Sequence, residues 1–98
     1  MAQHDVYRTS QGEYMLDCQS DFLDDFNTRF VVPLIDPENA PKIARRLNPT
    51  FNVAGKDLVM YTQFASSIPA NELNYCVASL EHHRYEITNA LDTLIGTY

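Results

Sequence analysis

Three histidines, two cysteines and a group of aspartates are the first side chains of this sequence to weigh as metal ligands, proton carriers or nucleophiles. His82 and His83 are consecutive, so on a helix they project about 100° apart, whereas a helical metal pair needs an i, i+4 spacing. They read as part of a solvated polar face. His4 stands near the start of the chain and reads as part of a mobile terminus. Cys18 and Cys76 are 58 positions apart, which matches no metal-ligand spacing. Cys18 falls in an apolar run and reads as a small buried hydrophobe. Asp21, Asp24 and Asp25 suggest a cation loop, but only Asp21 and Asp25 share an i, i+4 spacing and no glycine-centred calcium loop surrounds them. A solvated acidic loop is the simpler reading. With three glycines in all, the sequence has no P-loop, no dinucleotide-binding turn and no Gly-x-Ser-x-Gly elbow. These residues point to a binding protein rather than an enzyme, with no metal and no cofactor.

The elements that must position such groups are short. Residues 5–8 and 14–18 read as strands with a turn at Gln11-Gly12, and residues 20–27 as an acidic loop rich in turn formers. Residues 30–35 are the most apolar run and predict a buried strand, with Pro33 at an edge or bulge because it has no N–H for the ladder. Arg29, next to this run, reads as an ion-pair partner of the acidic loop, and Gln19 and Ser20 as residues that turn the chain. Residues 36–49 predict a long connection with one helical turn near 42–46. Ala54-Gly55-Lys56 is a hairpin signal between residues 51–53 and 57–64, with Gly55 at positive φ. Residues 66–69 close that strand, and 73–77 read as a further short one. Ser79 is the expected N-cap of a terminal helix, with Glu81 in its first turn. Ile87, Leu91 and Leu94, widened by Ala90 and Ile95, form its apolar stripe, and Gly96 fits the C′ position that ends it.

Composition bounds the class. Ninety-eight residues with 45% apolar content support one domain over residues 1–98 with a modest core, and association would bury more. The formal charge is −6, and only Arg45-Arg46 stand together among the basic residues. Nucleic-acid binding relies on clustered Lys and Arg that release counterions, so the acidic surface points instead to a basic groove on a partner protein. The polar N-terminus has no signal-peptide character and no run approaches the roughly 20 apolar residues of a membrane span, so a reducing cytoplasm is expected.

Taken together the segments resemble the CcdB family, toxins of bacterial toxin–antitoxin pairs. Asp17-Cys18-Gln19-Ser20-Asp21 and Arg29-Phe30-Val31-Val32-Pro33-Leu34 resemble the family's Asp-Val-Gln-Ser-Asp and Arg-x-Val-Ile-Pro-Leu at the same spacing. Leu47-Asn48-Pro49, Tyr61-Thr62-Gln63 and Ala65-Ser66-Ser67-Ile68-Pro69 continue it, with Tyr61 where the family tends to have Met. Arg84-Tyr85-Glu86-Ile87 through Ala90-Leu91-Asp92 resembles the family's closing helix. The resemblance runs from about Val6 to Ile95.

It implies a mainly β (α+β) fold: a small barrel-like five-stranded antiparallel sheet, a smaller second sheet and a C-terminal α-helix. It further implies a cytoplasmic homodimer, neutralised by a partly disordered CcdA-like antitoxin. The implied target is the A subunit of DNA gyrase, trapped with its DNA cleaved, an activity that supports plasmid maintenance. The implied gyrase-binding residues are Gly96, Thr97 and Tyr98, with Asn89 and Asp92 on the adjoining helix face. The tail departs from the family pattern: Thr97 stands at the family's glycine, Tyr98 at its final isoleucine, and Gly96 where a Trp can be. Two other readings share the fold: a partner of the antitoxin without gyrase activity, and an RNA-cleaving toxin of the MazF and Kid type.

Overall fold

The structure, a computed structural model, describes residues 1–96; Thr97 and Tyr98 lie outside the described residues. Among the described residues seven strands and one α-helix follow in chain order: β1 (Asp5–Arg8), β2 (Tyr14–Asp17), β3 (Thr28–Ile35), β4 (Thr50–Val53), β5 (Lys56–Met60), β6 (Ser66–Pro69), β7 (Tyr75–Ser79) and α1 (Arg84–Ile95). Every pairing is antiparallel. The long strand β3 organises the sheet. On one flank it pairs with β2; on the other its first half pairs with β6 and its last two residues with β5. All seven strands belong to one sheet, in the order β4-β5-β3-β2-β1-β7 with β6 also paired to β3. The smaller second sheet that the resemblance implies is therefore not separate: the β4–β5 hairpin is bonded to the end of β3 and continues the same sheet. The expected α+β class with a C-terminal helix is what the chain adopts.

Side-chain alternation along the strands supplies two apolar clusters. Val6, Leu16, Val32 and Leu34 point to one face, where Phe51, Val53, Leu58 and Met60 join them under Ile87 and Ala90 of α1. Tyr7, Val31 and Leu73 meet on the other face, with Met15 and Ile68 packed against them. Cys18 is buried in the first cluster, as its apolar run suggested, and burial pushes its thiol up to about 12.

Pro33 sits inside the central strand rather than at an outer edge. Its carbonyl accepts from the Tyr61 N–H on the flank where β6 has ended and β5 begins. The missing N–H therefore falls at the changeover between two partner strands, where the ladder has no acceptor for it. The β5 strand stops at Met60 instead of running to residue 64. Thr62 is buried and its hydroxyl donates to the Leu47 carbonyl, which pulls the chain into a short turn, Thr62–Phe64. Residues 66–69 then form a separate strand against β3.

The long connection has its helical turn at Pro37–Asn39, not at 42–46. Asp36 caps it by accepting the Glu38 N–H at 3.0 Å, and Pro37 starts it with a fixed φ. Asn48, buried, then ties the loop down: it accepts the Ala44 N–H and donates to the Met60 carbonyl and to Gln63 Oε1. The hairpin turn needs positive φ at two residues, Ala54 (51°) and Gly55 (89°), and Lys56 already belongs to β5. The last strand is β7 from Tyr75; Leu73 belongs to the second cluster instead. Ser79 ends β7 and accepts the Glu81 N–H at 3.3 Å, but a 3₁₀ turn, Glu81–His83, intervenes before α1 starts at Arg84. Gly96 closes α1 as expected, at φ 74°, with its N–H on the Asp92 carbonyl.

Candidate functional site

Two exposed features could engage a partner, and each is built by identifiable residues. The first is the 3₁₀ turn Asp21–Leu23 between β2 and β3. Its apolar side chains and that of Phe26 just after it point outward: Phe22 is 100% exposed, Phe26 57% and Leu23 43%. Polar contacts fix the backbone beneath them. Ser20 Oγ accepts the Phe22 N–H, and Gln19, which is buried, donates from Nε2 to the Leu23 carbonyl at 2.8 Å. The other end of the Gln19 amide accepts the Phe30 N–H at 2.9 Å. Gln3 donates its N–H to Asp21 at 2.8 Å.

Arg29 anchors the same segment. It is fully buried; its Nε and Nη2 lie 2.9 and 2.7 Å from Asp17 Oδ2, and its Nη1 reaches Asp24 at 3.1 Å. The expected ion pair with the acidic loop is therefore present through Asp24, with a second, buried carboxylate from β2 that the loop alone did not suggest. Burial raises the Asp17 carboxyl above its ordinary value, against the opposing pull of Arg29 and of the Gln19 N–H.

The second feature is the outer face of α1. Asn89, Asp92 and Gly96 follow one another at spacings of three and four, so the helix brings them to one face. Tyr85, four residues before Asn89 and 77% exposed, extends that face. Asn89 and Asp92 are half-buried. Ile87 and Ala90 face the core with Leu91 packed behind them, whereas Leu94 and Ile95 remain exposed, so the apolar stripe continues past the part that the single chain buries. Thr97 and Tyr98, the other two expected contacts, lie outside the described residues.

His4 is not part of a mobile terminus. It is buried with φ 74°, its N–H donates to the Asp17 carbonyl, its own carbonyl accepts from Leu80, and its ring Nδ1 lies 2.8 Å from Glu81. This contact holds the Glu81 carboxyl below its ordinary value. His83 likewise does more than face water: its ring packs at a tilt against Phe51, centroids 4.9 Å apart, and meets Glu86 at 2.8 Å. Among the described residues no group of three or more His, Cys, Asp or Glu could hold a metal ion, and no helix is long and apolar enough to cross a membrane. An open groove of about 770 Å³ lies between the β1–β2 turn and the β5 side of the sheet; its lining is mostly apolar, with Tyr14, Met15, Pro33 and Phe64, and also includes the charged Glu13, Asp36 and Lys56.

The exposed Phe22 turn went unread in the sequence, although its signal was there: Phe22, Leu23 and Phe26 are apolar residues interrupting an acidic, turn-forming stretch.

Among solved structures the chain is similar to an endoribonuclease from a mycobacterial species, with a TM-score of 0.75 over 98% of this chain and 91% of the other, at 15% identity. At that identity the likeness concerns the fold. The family model described as CcdB protein matches residues 3–96, and the chain belongs to the CcdB family of toxin–antitoxin toxins.

Proposed function

We propose that this protein poisons DNA gyrase: it binds the A subunit and traps the complex in which the DNA is cleaved, an activity that supports plasmid maintenance. The observation that carries the proposal is the family match over residues 3–96. The protein acts as a single domain and as a cytoplasmic homodimer, without metal or cofactor, and does not itself recognise a nucleic-acid sequence or a membrane. It makes and breaks no covalent bond. Gly96, Thr97 and Tyr98 supply the main contact, with Asn89 and Asp92 beside it. Exposed aromatic side chains are common anchors at interfaces, so Phe22 and its turn join this target surface. The acidic charge of −6 suits a basic partner surface and speeds encounter.

The antitoxin is of CcdA type. The groove at Tyr14 and Phe64 is its docking place, because a mostly apolar trough that also carries Glu13, Asp36 and Lys56 suits an extended peptide that orders on binding.

RNA cleavage is the competing reading, favoured by the likeness to the mycobacterial endoribonuclease. Against it stand the scattered basic residues and the burial of Arg29, whose guanidinium is taken up by Asp17 and Asp24. Purified protein incubated with gyrase and supercoiled DNA should accumulate linear DNA after denaturation. Tyr98→Ala should lose this activity while keeping fold and dimer. Undiminished trapping by that variant would place the contact elsewhere.

A further inference from the structure

We infer that Gln19, Arg29 and Asp24 are positioning residues for partner binding, holding the Phe22 turn in the conformation its partner meets; this rests on the reading of that turn as part of the target surface. The turn Asp21–Leu23 contributes no buried residue, so apolar packing does not order it. Its order comes from polar side chains placed on purpose-built supports. Gln19 spans the segment, one end of its amide on the Leu23 carbonyl and the other on the Phe30 N–H. Arg29 is fully buried and divides its guanidinium between Asp17 and the loop carboxylate Asp24. Burying an arginine is costly, and the Asp17 partner alone would satisfy its charge. The branch to Asp24 has its effect on the loop, clamping the residue that follows Leu23.

The consequence for binding is entropic. A fully exposed phenylalanine on a loose loop loses conformational freedom when it docks, and that loss weakens association. A turn already fixed by Gln19 and Arg29 has lost most of that freedom in the free protein. The Asp24 side chain is 54% exposed and reaches the interior through its ion pair with Arg29, so removing its carboxylate loosens the turn while Arg29 keeps its buried partner Asp17.

The test uses the full chain and four proteins: wild type, Phe22→Ala, Asp24→Ala and the double variant. Hydrogen exchange reads the turn directly through the Phe22, Leu23 and Phe26 amides, which bond to Ser20 Oγ, the Ser20 carbonyl and the Leu23 carbonyl. Binding to the purified gyrase A subunit is measured alongside, with thermal unfolding as a control. Asp24→Ala should unfold within a few degrees of wild type, exchange those amides about tenfold faster and bind about fivefold more weakly. In the Phe22→Ala background the same change should have almost no further effect on binding, because nothing is left to position. Unchanged exchange in Asp24→Ala overturns the inference, as does an equal loss of binding with and without Phe22. Phe22→Ala binding as tightly as wild type also overturns it, with the gyrase reading intact. Wild-type protein that fails to bind the subunit overturns both.

Discussion

Replacing Arg29 with methionine removes the cation from a pair in which both partners are fully buried. Asp17 would keep a single partner, the Gln19 N–H at 3.0 Å, and its charge would stand uncompensated inside the sheet. Removing one member of a buried ion pair costs about 3–5 kcal/mol. Domains of this size are stable by about 5–15 kcal/mol in total, and each kcal/mol is worth roughly 4–8 °C. The variant should therefore melt at least about 12 °C below wild type at pH 7, read by circular dichroism against temperature and urea. The pair Asp17→Asn with Arg29→Met removes the buried charge altogether and keeps an acceptor for the Gln19 N–H, so it should regain most of the loss. Acidification gives a second signature. Burial raises the Asp17 carboxyl in the folded state above its ordinary 3.8, so the folded protein binds this proton more tightly than the unfolded chain does. Stability from this group is thus present at low pH and lost as pH rises through the raised value. Without Arg29 the rise is larger, and Arg29→Met should lie closer to wild type at pH 5 than at pH 7. A loss below about 1 kcal/mol, where a buried pair predicts several, or a double variant no more stable than the single one, would refute this reasoning.

Three further changes probe other supports of the fold. Ala54 occupies a positive-φ position of a turn that favours Asn-Gly, so Ala54→Asn should stabilise the protein by about 0.5–1 kcal/mol in urea titrations; a loss of stability would mean the turn has another geometry. Burial pushes both thiols up, Cys18 to about 12, but Cys76 alone is exposed, so iodoacetamide at pH 8 should label Cys76, slowly, and leave Cys18 untouched until the protein unfolds. His4 holds Glu81 below its ordinary 4.5, so this carboxylate contributes stability above that value that is lost as pH falls through the lowered one. Glu81→Gln should flatten the acid limb of the stability curve below pH 4.5, and an unchanged limb would count against the contact.

The fold was legible where local pattern and partner coincide. The strands expected at residues 5–8, 14–18 and 30–35 carry apolar side chains that the sheet buries, the second ending one residue early at Asp17 and the third starting two residues early at Thr28, and Gly96 stops α1 at the expected place. The reading failed where a distant residue decides. The stop of β5 at Met60 depends on Thr62 reaching Leu47, and the burial of His4 depends on Asp17, Leu80 and Glu81, none of which is a neighbour in sequence. Pro33 was expected at an edge or a bulge and lies instead inside the central strand, where its missing N–H falls between two partner strands, which only topology reveals. For the candidate site, the helix spacing that brings Asn89, Asp92 and Gly96 to one face was readable. The Phe22 turn was hidden, because an exposed phenylalanine and a buried one look alike until the polar supports at Gln19 and Arg29 are seen.

The proposed trapping of gyrase on cleaved DNA is tested most directly by titrating purified protein into gyrase and supercoiled plasmid, stopping with detergent and protease, and measuring linear DNA. Linear DNA rising to a plateau with added protein, and falling back when a CcdA-type antitoxin is supplied, is the predicted result. No linear DNA at saturating protein, with specific cleavage of RNA by the same preparation, would contradict it.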